Sequence, residues 1–223
     1  MKDNNVKIIG GKWKRKNISF NEAMGLRPTL GRVRETLFNW LGQDLNNKKC
    51  LDLFAGTGAL GFEALSRNAE SCTFVENNPN TFQKLIENKE NLKADNAIIK
   101  KIHADFFIKN NEDKKIDKKI KFNDFEFIIH LASIVGYPAC RADPETARIT
   151  NINGTKNILG LLNKDQKIIF ASTGSNYGKK SELVNENSKL EPLSLYAETK
   201  VINEKQIADH NNFLIYYILD YYF

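Results

Sequence analysis

Three glycines in the segment LDLFAGTGALG (residues 51–61) have the spacing GxGxxG: Gly56, Gly58 and Gly61. A strand-like run precedes them, a helical pattern comes after them, and Glu76 closes the next predicted strand twenty positions after Gly56. Glycines allow the backbone to approach a ligand closely, and a carboxylate at the neighbouring strand end can accept hydrogen bonds from two ribose hydroxyls. The segment therefore predicts a site for a ribose-containing cofactor. The spacing alone leaves a dinucleotide and S-adenosylmethionine both open.

A second candidate pair is Tyr196 and Lys200 in SLYAETK (194–200). The two residues stand four apart, which places both side chains on one face of a helix. A nearby ammonium favours the phenolate form of tyrosine, so the pair predicts a tyrosine that transfers a proton. The same spacing by itself is typical of an exposed helix pair, which is the alternative interpretation.

Basic residues are concentrated near the N-terminus. Residues 1–41 hold nine Lys or Arg and three acidic residues, so this stretch alone carries the +6 net charge of the whole chain. Trp13 and the Gly10–Gly11 pair stand among the basic residues, a pattern that suits a nucleic-acid backbone and a stacked base. Charge alone also allows a solvated, solubilising face.

Strand and helix patterns alternate along the rest of the chain and predict an α/β fold. The fold is a three-layer, Rossmann-like, doubly wound parallel sheet with a short basic N-terminal extension, a hairpin plus a helix. The predicted strands are 50–54, 72–76, 97–104, 127–132, 167–172 and 213–219, and the predicted helices are 59–67, 79–92, 143–162 and 193–210. The predicted organisation is an extension over 1–45, a cofactor-binding half over 46–108, a charged linker over 109–125, and a second half over 126–223 that completes the same sheet.

Composition restricts the location and the chemistry. No run approaches the roughly 18 apolar residues of a membrane span, and the start MKDNNVKIIGGKWKRK has no apolar signal-peptide core. We therefore expect a cytoplasmic protein with no membrane partner. Cys50, Cys72 and Cys140 are odd in number and widely spaced, which predicts reduced core thiols and no metal site.

The residues around the glycines carry a family resemblance. LDLFAGTGALGFEALSR followed by FVENN, with IIGGKWKRKNISF and LRPTLGRVRETLFNWL before them, resembles the 16S ribosomal RNA guanine-N2 methyltransferase (RsmD) family, which is class I and S-adenosylmethionine-dependent. The resemblance covers about residues 6–107. It implies S-adenosylmethionine as the cofactor, with Glu76 on the ribose and Asp105 near the adenine amine. The implied cofactor-binding residues are Asp52, Phe54, Ala55, Gly56, Thr57, Gly58, Gly61, Glu76 and Asp105.

The same resemblance implies a surface on the N-terminal extension that contacts RNA. The partner would be ribosomal RNA or another structured RNA, and the arginines suit it because a planar guanidinium bonds an oxyanion twice. These residues would meet RNA or the carboxylate of the cofactor, and the implied RNA-binding set is Lys12, Trp13, Lys14, Arg15, Lys16, Arg27, Thr29, Arg32 and Arg34.

The strand FIIHLAS (127–133) departs from that family. In the methyltransferases the fourth strand should end in Asp/Asn-Pro-Pro-aromatic, which bonds the exocyclic amine and stacks the flipped base. This chain has His130-Leu131-Ala132-Ser133 there, and Tyr137-Pro138 comes later and in a different order. The cofactor half is therefore predicted to be present while the element that orients the base is missing.

The segment from this strand onward resembles a second family, the extended short-chain dehydrogenases/reductases, which are NAD(P)-dependent epimerases and dehydratases. The resemblance covers about residues 126–210 and is carried by IIHLASIVGYP, NINGTKNIL, IIFASTGSNYG and SLYAETK. It implies Thr173, Tyr196 and Lys200 as catalytic residues, with Lys200 also on the nicotinamide ribose and Thr173 (or Ser172) orienting the substrate. Asn153 would bond backbone near the site, and His130 would be a packed histidine. The resemblance also implies that the C-terminal substrate-binding portion is missing.

These two resemblances predict a chimera joined near residues 108–126, and they leave three functions open. The first is an S-adenosylmethionine-binding rRNA methyltransferase-family protein in which methyl transfer is weak or absent. The second is an NAD(P)-dependent oxidoreductase of the epimerase/dehydratase type that uses Thr173, Tyr196 and Lys200, with GTGALG and Glu76 binding the dinucleotide. The third is a non-catalytic, RNA-binding fusion product.

Overall fold

The computed structural model describes residues 4–20, 28–29, 31–104, 122, 125, 127–130, 132–180, 183–185, 187–210 and 213–218. The chain divides into two compact units, Met1–Phe125 (unit 1) and Glu126–Phe223 (unit 2). Each unit contains a three-stranded sheet of its own. The predicted domain boundaries, and the continuity of one sheet through both halves, stay predictions.

Unit 1 begins with the predicted hairpin. Strands β1 (Asn4–Lys7) and β2 (Asn17–Phe20) pair antiparallel, with Val6 opposite Ile18. A short 3₁₀ turn (Gly11–Trp13) lies between them, and helix α1 (Gly31–Leu41) comes next. Ile18 and Phe20 are buried, so the hairpin packs one face inward and is part of the core of unit 1.

The rest of unit 1 is a parallel α/β layer. Its strands are β3 (Lys49–Asp52), β4 (Ser71–Glu76) and β5 (Ala97–Lys101), paired in the order β3-β4-β5. Helix α2 (Ala59–Ser66) connects β3 to β4, and α3 (Pro79–Leu92) connects β4 to β5. Helix α3 has the predicted bounds because Asn78 caps the Asn80 and Thr81 N–H groups and Pro79 occupies the first turn.

Unit 2 has the same alternation. Strands β6 (Phe127–His130), β7 (Lys167–Thr173) and β8 (Phe213–Ile218) are parallel, in the order β6-β7-β8. Helix α7 (Leu195–Ala208) lies between β7 and β8 in the chain, and the Ser194 hydroxyl caps it at the Ala197 N–H. The parallel sheets with connecting helices confirm the predicted α/β class.

The predicted helix over 143–162 corresponds to a continuous helical run over 144–159. The run consists of α5 (Pro144–Arg148), a π-helical turn (Ile149–Asn153) and α6 (Gly154–Leu159), and a separate short helix, α4 (Tyr137–Ala142), precedes it. Asp143 separates α4 from this run because its side chain caps the Thr146 N–H and Pro144 cannot continue the preceding helix.

Among the described residues, none of the helices combines the length and the hydropathy needed to cross a membrane.

Candidate functional site

The glycine loop of unit 1, defined here as residues 53–58, joins the end of β3 to the start of α2. Gly56 and Gly58 both have positive φ, +49° and +74°. A Cβ on Gly58 would lie 2.6 Å from Leu85 Cδ2, and one on Gly61 would overlap the Phe74 ring. The first two glycines therefore allow the sharp turn, and the third allows α2 to pack closely on β4.

Glu76 lies beside this loop, as the motif predicts. Its Oε2 accepts the Gly56 N–H at 3.0 Å and its Oε1 accepts the Asn78 N–H at 2.8 Å. Glu76 is half-buried, and each carboxylate oxygen can accept more than one hydrogen bond. The carboxylate is thus oriented by the backbone and retains acceptor capacity for two ribose hydroxyls.

Asp52 places a second carboxyl group under the loop. Its Oδ2 accepts the Gly61 N–H in the first turn of α2 at 3.1 Å. Burial raises the Asp52 pKa to about 6, the Gly61 hydrogen bond opposes that rise, and the Glu76 charge adds to it. A helix N-terminus normally attracts a phosphate, but here a carboxyl group already occupies a first-turn donor. Two acidic groups flanking the loop favour a cationic ligand over a pyrophosphate.

The other predicted cofactor residues differ in accessibility. Phe54 is 54% exposed, Ala55 and Thr57 are buried, and the Ala55 N–H bonds the Val75 carbonyl at 3.0 Å. Thr57 accepts the Ala59 N–H through its hydroxyl at 3.3 Å. Asp105 lies outside the described residues, so its predicted place near an adenine amine stays a prediction.

The basic turn, defined here as Lys12–Lys16, is the tip of the hairpin. Lys12, Lys14, Arg15 and Lys16 are exposed, and Arg32 on α1 is exposed as well. Thr29 is half-buried, with its carbonyl bonded to the Arg34 side chain. Arg27 lies outside the described residues. The exposed cations are compatible with a phosphate-contacting surface.

Two residues predicted to contact RNA are instead inside unit 1. Trp13 is only 6% exposed, with the Lys12 ammonium 4.5 Å from its ring centroid, so its ring is not presented for base stacking. Arg34 is only 4% exposed and donates to the Thr29 and Lys7 carbonyls and to Glu63. We remove both from the RNA-contacting set, because their polar or aromatic groups are engaged within the fold.

Glu63 is a residue that sequence analysis missed. It is fully buried on α2 and accepts the backbone N–H groups of Ile9 (3.0 Å) and Gly10 (2.8 Å). It also accepts from Arg34 at 3.0 Å and from Arg67. The available signal was a charged residue within the apolar stretch ALGFEALS, which predicts burial and hence a partner.

In unit 2, the structure brings Tyr196 and Lys200 together on α7. The Lys200 ammonium lies 5.7 Å from the Tyr196 ring centroid and 4.5 Å from that of Phe170, and it donates to the Ala171 carbonyl at 2.9 Å. Burial lowers the Lys200 pKa to about 8, and the charge of Glu204 opposes this shift. The two side chains therefore share one face of α7, as their spacing predicts, with the ammonium at cation–π distance from the Tyr196 ring.

Thr173 ends β7 with its hydroxyl already bonded. It is only 2% exposed, accepts the Ser175 N–H at 3.3 Å and caps the 3₁₀ turn Gly174–Tyr177. The neighbouring Ser172 hydroxyl donates to Glu204 and accepts from Asn176 at 3.0 Å. Both hydroxyls at this strand end therefore make hydrogen bonds within unit 2.

Asn151, and not the predicted Asn153, makes the backbone bonds near this region. Asn151 is buried, accepts the Ile134 N–H at 2.7 Å and donates to the Ile134 carbonyl at 3.1 Å. Asn153 is exposed. His130 is buried and bonded to the Thr155 hydroxyl at 2.9 Å, and burial lowers its pKa to about 3, with Lys200 adding to the effect. It is a packed, neutral histidine, as the sequence predicts.

The parallel sheets with connecting helices and the glycine loop define a Rossmann-like α/β protein. A family model described as "Conserved hypothetical protein 95" matches residues 6–125, and one described as "3-beta hydroxysteroid dehydrogenase/isomerase family" matches residues 81–218. The chain therefore belongs to both families and is a two-part chimera, as its sequence predicts.

Individual relatives show the same division. The ribosomal RNA small subunit methyltransferase D of Escherichia coli K12 is 48% identical over 103 residues, covering 46% of this chain and 52% of the relative. A putative UDP-glucose 4-epimerase of Methanocaldococcus jannaschii is 36% identical over 138 residues, covering 57% of this chain and 45% of the relative. The chain thus spans about half the length of these curated relatives.

A solved structure of a UDP-Glc/GlcNAc 4-epimerase from Campylobacter jejuni matches with a TM-score of 0.58 at 17% identity. The match covers 77% of this chain and 53% of that one. At this identity the likeness shows the fold alone.

Proposed function

We propose that unit 1 binds S-adenosylmethionine at the glycine loop and structured RNA at the basic turn, as a member of the rRNA guanine-N2 methyltransferase family. The observation that carries this proposal is the pair of carboxyl groups, Asp52 and Glu76, on either side of the loop. Glu76 suits the ribose of either cofactor, so the discrimination rests on Asp52. S-adenosylmethionine carries sulfonium and ammonium charges and one carboxylate, so its net positive charge is attracted by an ionised Asp52, whereas a pyrophosphate would be repelled.

When bound, the cofactor would supply a methyl group, and the residues of this chain would bind and orient it. Glu76 accepts the ribose hydroxyls, and the Gly56–Gly58 turn leaves room for close approach. We propose that methyl transfer is weak or absent, because His130-Leu131-Ala132-Ser133 stands where the family has the base-orienting motif. The partner is ribosomal RNA or another structured RNA, held by exposed Lys and Arg side chains. The cytoplasmic location stays a prediction.

The proposal is tested by calorimetric titration of S-adenosylmethionine at pH 5 and pH 7. Because the Asp52 pKa is about 6 and a cationic ligand prefers the ionised carboxylate, we expect the affinity to rise with pH by up to about tenfold. The Asp52→Asn variant should bind more weakly and without this pH dependence, whereas Tyr196→Phe in unit 2 should bind like the wild type. An affinity that is equal at both pH values in the wild type would contradict the role of Asp52.

A second candidate function is an NAD(P)-dependent oxidoreductase of the epimerase/dehydratase type, which the Tyr196–Lys200 pair in unit 2 favours. Lys200 would stabilise the phenolate form of Tyr196 and donate hydrogen bonds to the nicotinamide ribose. Thr173 would orient the substrate. The test is NADH fluorescence on addition of the protein, with Tyr196→Phe and Lys200→Met as variants. Unchanged fluorescence would exclude this candidate.

A third candidate is a non-catalytic RNA-binding fusion product. Exposed Lys12, Lys14, Arg15 and Lys16 support it because they need no cofactor to meet phosphates. RNA binding that weakens with salt and persists in both Glu76→Ala and Tyr196→Phe, without binding of either cofactor, would favour it. Binding that is insensitive to salt would count against it.

A further inference from the structure

The basic turn is attached directly to the helix that begins at the glycine loop. Glu63 accepts the Ile9 and Gly10 N–H groups, and the Ser66 hydroxyl accepts the Trp13 N–H at 2.9 Å. Gly11 has a φ of +71°, and a Cβ there would overlap the Ser66 carbonyl. The hairpin tip is therefore seated on the second half of α2 and does not move independently of it.

The opposite end of α2 belongs to the candidate cofactor site. The helix starts directly after Gly58, and its Gly61 N–H is bonded to Asp52. Seven of its eight residues are buried, so the helix contacts its neighbours along its whole length. A displacement of its first turn must be transmitted to Glu63 and Ser66 within the same two turns of helix.

We propose that Glu63 is a positioning residue that couples RNA binding at the basic turn to S-adenosylmethionine binding at the glycine loop. This inference rests on the proposed function of unit 1. Glu63 holds two arginines and two hairpin N–H groups in one buried cluster, so the cluster is a contiguous physical connection between the two surfaces. Each ligand that stabilises one arrangement of α2 then favours the binding of the other.

The coupling is measured by titrating a fluorescently labelled hairpin RNA into the protein with and without saturating S-adenosylmethionine. The reverse titration of S-adenosylmethionine with and without RNA must give the same factor, because coupling between two binding equilibria is reciprocal. We expect about fivefold tighter RNA binding in the presence of the cofactor, the lower end of typical couplings.

The coupling factor is the ratio of the affinities for one ligand with and without the other. In Glu63→Gln this factor should fall to about one while each ligand still binds, because the carboxylate charge that pairs with Arg34 and Arg67 is lost. If Glu63→Gln does not fold, Ser66→Ala tests the same connection through Trp13 and Gly10 alone, and we expect it to reduce the factor partially. Leu92→Ala, a buried change at the far end of α3, is the control for loss of stability and should keep the wild-type factor.

The outcomes separate the inference from the proposed function. If neither ligand binds the wild type, the proposed function fails and the inference fails with it. If both ligands bind independently, or if folded Glu63→Gln keeps the wild-type factor, the proposed function survives and the coupling role of Glu63 is overturned.

Discussion

Buried charge is arranged differently in the two units. In unit 1 the fully buried Glu63 carboxylate is matched by two arginines, and a further carboxylate, Glu76, remains half-buried at the loop. In unit 2 the buried Lys200 ammonium rests on a backbone carbonyl and an aromatic ring, and its pKa is lowered to about 8. In unit 1 the buried ion pairs of Glu63 thus stabilise the fold, and the Glu76 carboxylate retains acceptor capacity at the glycine loop.

The candidate sites of the two units differ in the same way. The glycine loop has an exposed aromatic, Phe54, and a carboxylate with spare acceptor capacity. In unit 2, Thr173 and Lys200 are each 2% exposed and already bonded within the fold. The predicted site groups of the two units therefore differ in exposure and in how many hydrogen bonds they already make.

The largest expected effect is the difference in stability loss between removing the buried cation of unit 1, Arg34, and removing that of unit 2, Lys200. Arg34→Met removes one partner of the Glu63 ion pair and should lower the free energy of unfolding of unit 1 by about 3–5 kcal/mol. Lys200→Met, which removes an ammonium that burial already disfavours, should cost less than about 2 kcal/mol. Both tryptophans, Trp13 and Trp40, lie in unit 1, so tryptophan fluorescence in urea reports that unit, and hydrogen exchange reports unit 2. Equal losses in the two variants would refute the contrast.

Glu76→Ala sharpens the difference between the candidate sites. It removes the acceptor for two ribose hydroxyls, each a charge-assisted hydrogen bond, so S-adenosylmethionine binding should weaken by about a hundredfold or more. The matched control is Glu87→Gln, an exposed carboxylate paired with Lys84 on α3. Calorimetry measures both variants. A Glu76→Ala protein with wild-type affinity would remove the glycine loop as the binding site.

Gly61→Ala tests the close packing of α2 on β4. The added Cβ would overlap the Phe74 ring and lie 2.9 Å from the Cys72 sulfur, so we expect a loss of about 1–3 kcal/mol in the stability of unit 1. Gly154→Ala in unit 2 is the control, because nothing lies within 4 Å of the position that a Cβ would occupy there. Urea unfolding of both variants measures the difference, and a neutral Gly61→Ala would contradict the packing.

The smallest expected effects are pH-dependent and have opposite signs. The raised Asp52 pKa means that unit 1 loses stability as the pH rises from about 4 through 6, and Asp52→Asn should remove this loss. The lowered His130 pKa means that unit 2 loses stability as the pH falls from about 6.5 through 3. His130→Asn should remove this pH-dependent loss. Over any single pH unit each change should stay below about 1.4 kcal/mol, the free energy that one proton contributes per unit of pH. If both variants show the same pH-dependent losses of stability as the wild type, these two groups are excluded as the cause.

The sequence predicted the strands, the connecting helices and the position of Glu76 at the strand end after the glycine motif, because these depend on local periodicity and on a motif with a fixed geometry. Glu63 escaped prediction because its partners at Ile9 and Gly10 stand more than fifty positions away. The burial of Trp13 depends on the same distant contacts. In unit 2, choosing between Asn151 and Asn153 required the register of a π-helical turn, which no local pattern encodes.

The most direct test is a paired calorimetric titration of the full chain with S-adenosylmethionine and with NAD⁺. The acidic loop of unit 1 and the internally bonded hydroxyls and ammonium of unit 2 predict saturable binding of S-adenosylmethionine and no measurable binding of NAD⁺. Binding of NAD⁺ without S-adenosylmethionine would contradict the assignment of the glycine loop to a cationic cofactor.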